Sequence, residues 1–215
     1  MEIKIKDFKG GSLSSTSLIQ KNDNKFVRKS VSVVENREYG FRRWCSQLKR
    51  LQRYEILFPN LFPKILNYEK RYNFAFFDME YFEQAVDASY FLYNSKNEND
   101  INDFFEDLLK IMKLMYINKM SSSKLSIDLY IYEEVLQKIE DCKKNKDFLD
   151  FLNNEYIFFN GERVLSFYSS IDEYIKMCKK YFNRTYEVFT HGNITLENML
   201  YIHEDRRIIL IDPYE

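Results

Sequence analysis

The chain has 215 residues, 45% of them hydrophobic, and a formal net charge of −1. That apolar content excludes global disorder, and a chain of this length hides roughly 70% of its unfolded surface in a core. Its 32 basic and 33 acidic residues form no long basic block, which argues against nucleic acid or an anionic membrane as a partner.

Residues 2–8 alternate polar and apolar and predict a strand; this opening segment lacks the apolar stretch of a signal peptide. A small-residue loop follows, Gly10-Gly11-Ser12 and on to Thr16. Residues 17–20 and 25–34 read as two more strands, with Lys21-Asn22-Asp23-Asn24 as the turn. Over 35–53, Phe41, Trp44, Cys45, Leu48 and Leu51 fall on one face of a helix. Pro59 and Pro63 break that pattern, and 64–69 and 73–81 supply two further strands.

Beyond Tyr81 the period changes from two to 3.6 residues. Helices are predicted over 100–118, 127–144, 146–153 and 171–183. The segment 94–100 reads as a mobile polar loop, and the stretch from Gly161 to Leu165 as a connection. Residues 198–202 and 207–211 predict a strand pair joined by His203-Glu204-Asp205-Arg206. No apolar run approaches the ~20 residues that span a bilayer. Cys45, Cys142 and Cys178 are far apart and odd in number, which fits neither a disulfide framework nor a zinc site and points to a reducing, cytoplasmic setting. The abundance of Lys, Asn, Ile, Phe and Tyr reads as an AT-rich coding bias of a bacterial kind.

The informative segment is 190–213. It runs Thr-His-Gly-Asn-Ile-Thr-Leu-Glu-Asn, continues through the strand pair, and ends on Ile211-Asp212-Pro213. It resembles the catalytic and metal segments of the aminoglycoside phosphotransferase/choline kinase family, where the loop reads His-Gly-Asp, four residues, Asn, and an apolar strand ends in the metal-binding Asp. His191, Gly192, Asn198 and Asp212 match with the spacing intact. Asn193 stands where the family has its catalytic Asp. Asn has the shape of Asp but no charge, and it cannot take up a proton. An engineered substitution that traps a substrate complex and a natural one that leaves a slow or non-catalytic relative both account for it.

The resemblance implies an α+β, protein kinase-like bilobal fold, with a β-rich nucleotide lobe over 1–82 and a helical lobe over 83–215. It implies ATP and Mg²⁺ as cofactors and a small-molecule hydroxyl as acceptor (a sugar, amino alcohol or related metabolite). Asn198 and Asp212 then offer hard oxygen donors to Mg²⁺. His191 braces the loop, and position 193 orients the acceptor. In the first lobe, Gly10, Gly11 and Ser12 cover the phosphates with backbone N–H groups. Val27 and Lys29 leave one strand face together, for the adenine and the α- and β-phosphates. Glu38, or else Glu35, holds Lys29. Met79 fills the back of the pocket, and the backbone from Glu80 to Phe82 meets the purine edge. The family's C-terminal lobe continues well past the metal-binding Asp, whereas this sequence stops three residues after it, through truncation or in a minimal member. A nucleotide-binding domain without transfer activity is the rival expectation.

Overall fold

The computed structural model describes residues 2–8, 14–35, 40–123, 126–182 and 186–213. The chain forms two compact units, one of Met1–Ile117 with Thr190–Glu215, the other of Asn118–Phe189.

The first unit holds a five-stranded antiparallel sheet in the order β1-β2-β3-β5-β4. Its strands are β1 (Glu2–Phe8), β2 (Ser15–Lys21), β3 (Asn24–Ser32), β4 (Ile65–Lys70) and β5 (Phe74–Glu80). β2 and β3 pair down to Lys21 opposite Asn24, which leaves a two-residue turn at Asn22-Asp23. Asn22 has φ of 55°, a left-handed conformation that Asn tolerates better than most residues. β5 lies between β3 and β4, and its residues 75–78 are buried, as a central strand covered on both faces requires. The register sets Val27 opposite Met79 and Lys29 opposite Phe77, so these four side chains share one face. Arg28 and Asp78 pair on the other face, joined by bonds of 2.6 and 2.9 Å, and the Arg28 guanidinium lies 4.2 Å from the centre of the Phe76 ring.

Helix α1 (Arg42–Leu57) packs Trp44, Leu48, Leu51 and Tyr54 inward, one stripe at helical spacing. It starts later than the 35–53 segment predicts. Glu35 instead sits in a turn, its N–H donating to Ser32 Oγ at 2.9 Å. The helix runs on to Leu57 because Phe58, next to Pro59, is the first residue forced out of helical dihedrals (φ −133°, ψ 69°).

The same unit contains β6 (Val86–Asp87), α2 (Ala88–Asn94), α3 (Glu98–Ile117), β11 (Met199–Ile202) and β12 (Arg207–Leu210). The strands form a small sheet in the order β12-β11-β6. The expected 190–213 hairpin is therefore present, with β6 added as a third strand. The expected loop at 94–100 is replaced by a short link, Ser95–Asn97, between two helices. Its polar residues cap α3: Asn97 Oδ1 accepts from the Asn99 N–H at 3.1 Å, and Asn97 Nδ2 donates to Asp100 at 3.0 Å.

The second unit contains β7 (Lys119–Ser121) paired with β10 (Tyr186–Val188), so its entering and leaving strands hydrogen-bond to each other. Between them lie α4 (Ser126–Ile131), a π-helical turn (Tyr132–Leu136), α5 (Gln137–Cys142), α6 (Lys146–Asn153) and α7 (Ile171–Tyr181). The 161–165 stretch is not a connection but one arm of a hairpin, β8 (Tyr156–Phe159) with β9 (Glu162–Leu165). Its turn is Asn160-Gly161, with φ of 50° and 85°, the dipeptide that two-residue hairpin turns favour. Among the described residues, no helix is long and apolar enough to cross a membrane.

Candidate functional site

The first unit encloses a cavity of about 440 Å³, within the usual range for small-molecule sites. β1 to β3 contribute Lys6, Phe8, Thr16, Val27 and Lys29 to its wall. β5 and the segment after it contribute Phe77, Met79, Glu80, Tyr81 and Phe82. On the far side stand Glu197, Asn198, Leu200, Ile211 and Asp212, with Gln47 and Leu51 of α1. Val27, Lys29, Met79, Glu80, Phe82, Asn198 and Asp212, seven residues singled out in the sequence, thus line one cavity.

The loop before β11 is fixed by its own hydrogen bonds. His191 is buried, and its Nε2–H donates to the Ile211 carbonyl at 2.8 Å. Its ring stacks on Phe62 at 6.1 Å. Burial pushes the His191 pKa below its ordinary value, against the pull of the Ile211 carbonyl. The imidazole is therefore a neutral brace for the backbone that leads into Asp212. Tyr54 of α1 adds a second brace, its hydroxyl donating to the Thr190 carbonyl at 2.7 Å. Gly192 has φ of 80°, which only glycine adopts without strain.

The Asn193 carbonyl accepts from Asn198 Nδ2 at 2.9 Å and from the Thr195 N–H at 3.0 Å. With Nδ2 committed, Oδ1 is the Asn198 atom left for a cation. The Ile211 N–H donates to the Asn198 carbonyl at 2.9 Å, which ties the end of β12 to the start of β11 and sets Asp212 beside Asn198. Asn193 itself is exposed and lies outside the cavity wall.

Asp212 is a non-glycine residue with φ of 55°. Such conformations cost energy and gather at functional sites. Lys29 Nζ forms an ion pair with Asp212 Oδ1, and Gln47 Nε2 donates to the same oxygen. Burial works to raise the Asp212 pKa, but the charge and hydrogen bond of Lys29, with the Gln47 bond, outweigh it and hold the carboxyl below the ordinary range. The carboxylate stays ionised at neutral pH. No hydrogen bond among the described residues engages its Oδ2.

Gly10, Gly11, Ser12 and Glu38 lie outside the described residues. Glu35, the second candidate partner of Lys29, is exposed in the turn after β3, and among the described residues no ion pair links the two. The Glu80 N–H donates to the Lys64 carbonyl at 3.0 Å, so that group serves the sheet.

Asn198 Oδ1 and Asp212 Oδ2 suit a hard cation such as Mg²⁺, which binds through one or two protein oxygens and shares the rest of its shell with phosphates and water. Among the described residues no cluster of three or more His, Cys, Asp or Glu could hold a metal ion.

Gln47 escaped the sequence reading. It stands three residues after Trp44 and four before Leu51, so a polar side chain sits on the inward face of α1, and that was the available signal. No protein-family model matches the chain, and no curated protein sequence matches it.

Proposed function

We propose that this chain is a kinase-like domain that binds Mg-ATP in the 440 Å³ cavity and serves transfer of the γ-phosphoryl group to a small-molecule hydroxyl. The observation that carries the reading is the convergence of Lys29, Asn198 and Asp212 on one cavity walled by Val27, Met79 and Phe82. A wall that mixes apolar and charged groups suits a nucleotide, with the base among Val27, Met79 and Phe82 and the phosphates towards Lys29.

Phosphoryl transfer asks the protein mainly for positioning and for charge to offset the phosphates. Lys29 supplies a fixed positive charge from a central strand. Asn198 and Asp212 hold the cation, and Mg²⁺ when bound neutralises phosphate oxygens. The bond from the γ-phosphorus to the ADP oxygen breaks as the acceptor oxygen bonds to phosphorus, and the acceptor's proton must leave. Asn193 orients the hydroxyl by hydrogen bonding but cannot take that proton. The same residue favours a second reading, a nucleotide-binding domain without transfer.

Crystals soaked with Mg²⁺ and a non-hydrolysable ATP analogue test the proposal. Nucleotide density along Val27 and Met79, with the cation at Asn198 and Asp212, supports it. A nucleotide bound elsewhere, or none, rejects it.

A further inference from the structure

Asp212 Oδ1 receives two donors of different kinds, the Lys29 ammonium and the Gln47 amide. A polyphosphate in the cavity competes with Asp212 for the Lys29 ammonium, whose three N–H donors can turn towards it. With Lys29 turned to phosphate, Gln47 is the remaining side chain among the described residues that hydrogen-bonds the Asp212 carboxylate.

Gln47 is built to remain. It is uncharged, so phosphates do not attract it and a cation does not repel it. It rides on α1, which is anchored to the sheet on either side of it. Trp44 packs against Phe77, ring centres 5.7 Å apart and tilted by 34°, and its indole N–H donates to the Lys29 carbonyl at 3.4 Å, while Leu48 and Leu51 are buried. An amide on a rigid element positions a carboxylate better than the end of a flexible lysine does.

Resting on the Mg-nucleotide reading above, we propose that Gln47 is the positioning residue of the cation site, holding Asp212 Oδ1 after Lys29 has moved to the phosphates so that Oδ2 faces the cation beside Asn198. A glutamate here would set two carboxylates against each other and compete for Lys29.

The test is calorimetric titration of the full chain with a non-hydrolysable ATP analogue, with and without Mg²⁺. The quantity read is the factor by which Mg²⁺ tightens nucleotide binding. Gln47→Leu removes the amide and keeps the bulk. It is expected to cut the Mg²⁺ factor about tenfold, the lower end for a hydrogen bond to a charged group. Gln47→Asn, with a shorter amide, is expected to restore none of it. A Gln47→Leu protein with the wild-type Mg²⁺ factor overturns the inference and leaves the nucleotide reading standing. A protein that loses Mg-free and Mg-dependent binding alike assigns Gln47 a structural role and also overturns it. A wild-type chain that binds nucleotide with no Mg²⁺ factor refutes the cation site itself, and the inference falls with it.

Discussion

Lys29 and Asp212, 183 residues apart in the chain, form an ion pair in the wall of one cavity. The pair joins the third strand of the five-stranded sheet to the segment that leaves β12. It sets the positive charge proposed for phosphate beside the negative charge proposed for a cation. The two opposite charges offset each other in the cavity wall.

The Arg28–Asp78 pair lies on the opposite sheet face from Lys29. Asp78 is 4% exposed and takes both bonds from Arg28. Arg28→Met strands the buried Asp78 carboxylate and is expected to cost about 3 kcal/mol. Asp78→Leu is expected to cost less, because the half-buried guanidinium keeps Glu2 at 2.8 Å. The double variant, with apolar groups on both strands, is expected to be more stable than either single one. Urea unfolding of the three variants checks this, and strictly additive losses would contradict it.

A large share of the first unit was legible in its sequence. Period-two alternation marked β1, and Asn22-Asp23 marked the β2–β3 turn, because those signals are local. The 190–213 segment was legible through spacing, since Asn198 and Asp212 each sit at the start or end of a short strand. Other features needed register or tertiary contact. Arg28 and Asp78 become partners only once β3 and β5 are aligned, and Lys29 meets Asp212 only once the segment after β12 reaches β3. The Asn-Gly pair at 160–161 was a local hairpin signal passed over among helical patterns. The polar run at 94–100 resembled a loop because helix caps use the same residue types as turns.

Acidification tests the brace at His191. Its folded-state pKa lies below the ordinary histidine value of 6.5, because burial disfavours the charged ring. The unfolded chain therefore binds the proton more readily. The contribution of this group to stability is fully present above about pH 6.5 and declines as the pH falls towards the lower folded value. His191→Gln keeps a donor for the Ile211 carbonyl and removes the titration. Between pH 7 and pH 5 the wild-type urea midpoint is expected to fall by more than that of His191→Gln. Equal falls would show that His191 does not titrate across this range.

Position 193 separates the two functional readings. Asn193→Asp adds a carboxylate in an exposed loop whose backbone bonds to Asn198 and Thr195 do not involve the changed side chain. The fold is expected to survive. ADP release, with sugars and amino alcohols screened as acceptors, is expected to rise at least roughly a hundredfold over the Asn form, the low end of a general-base contribution. Nucleotide affinity is expected to change little, because Asn193 lies outside the cavity wall. An Asp form that binds Mg-ATP and transfers nothing would favour the non-catalytic domain.

The central claim is that the Lys29–Asp212 pair is a Mg-nucleotide site, and calorimetric titration with Mg²⁺ and a non-hydrolysable ATP analogue tests it most directly. The wild-type chain is expected to bind one equivalent. Lys29→Met is expected to weaken binding by about tenfold or more, the loss of one charge-assisted contact to phosphate. Asp212→Asn is expected to abolish most of the tightening that Mg²⁺ produces. Absence of binding to the wild-type chain, or variants that bind as it does, would contradict the account.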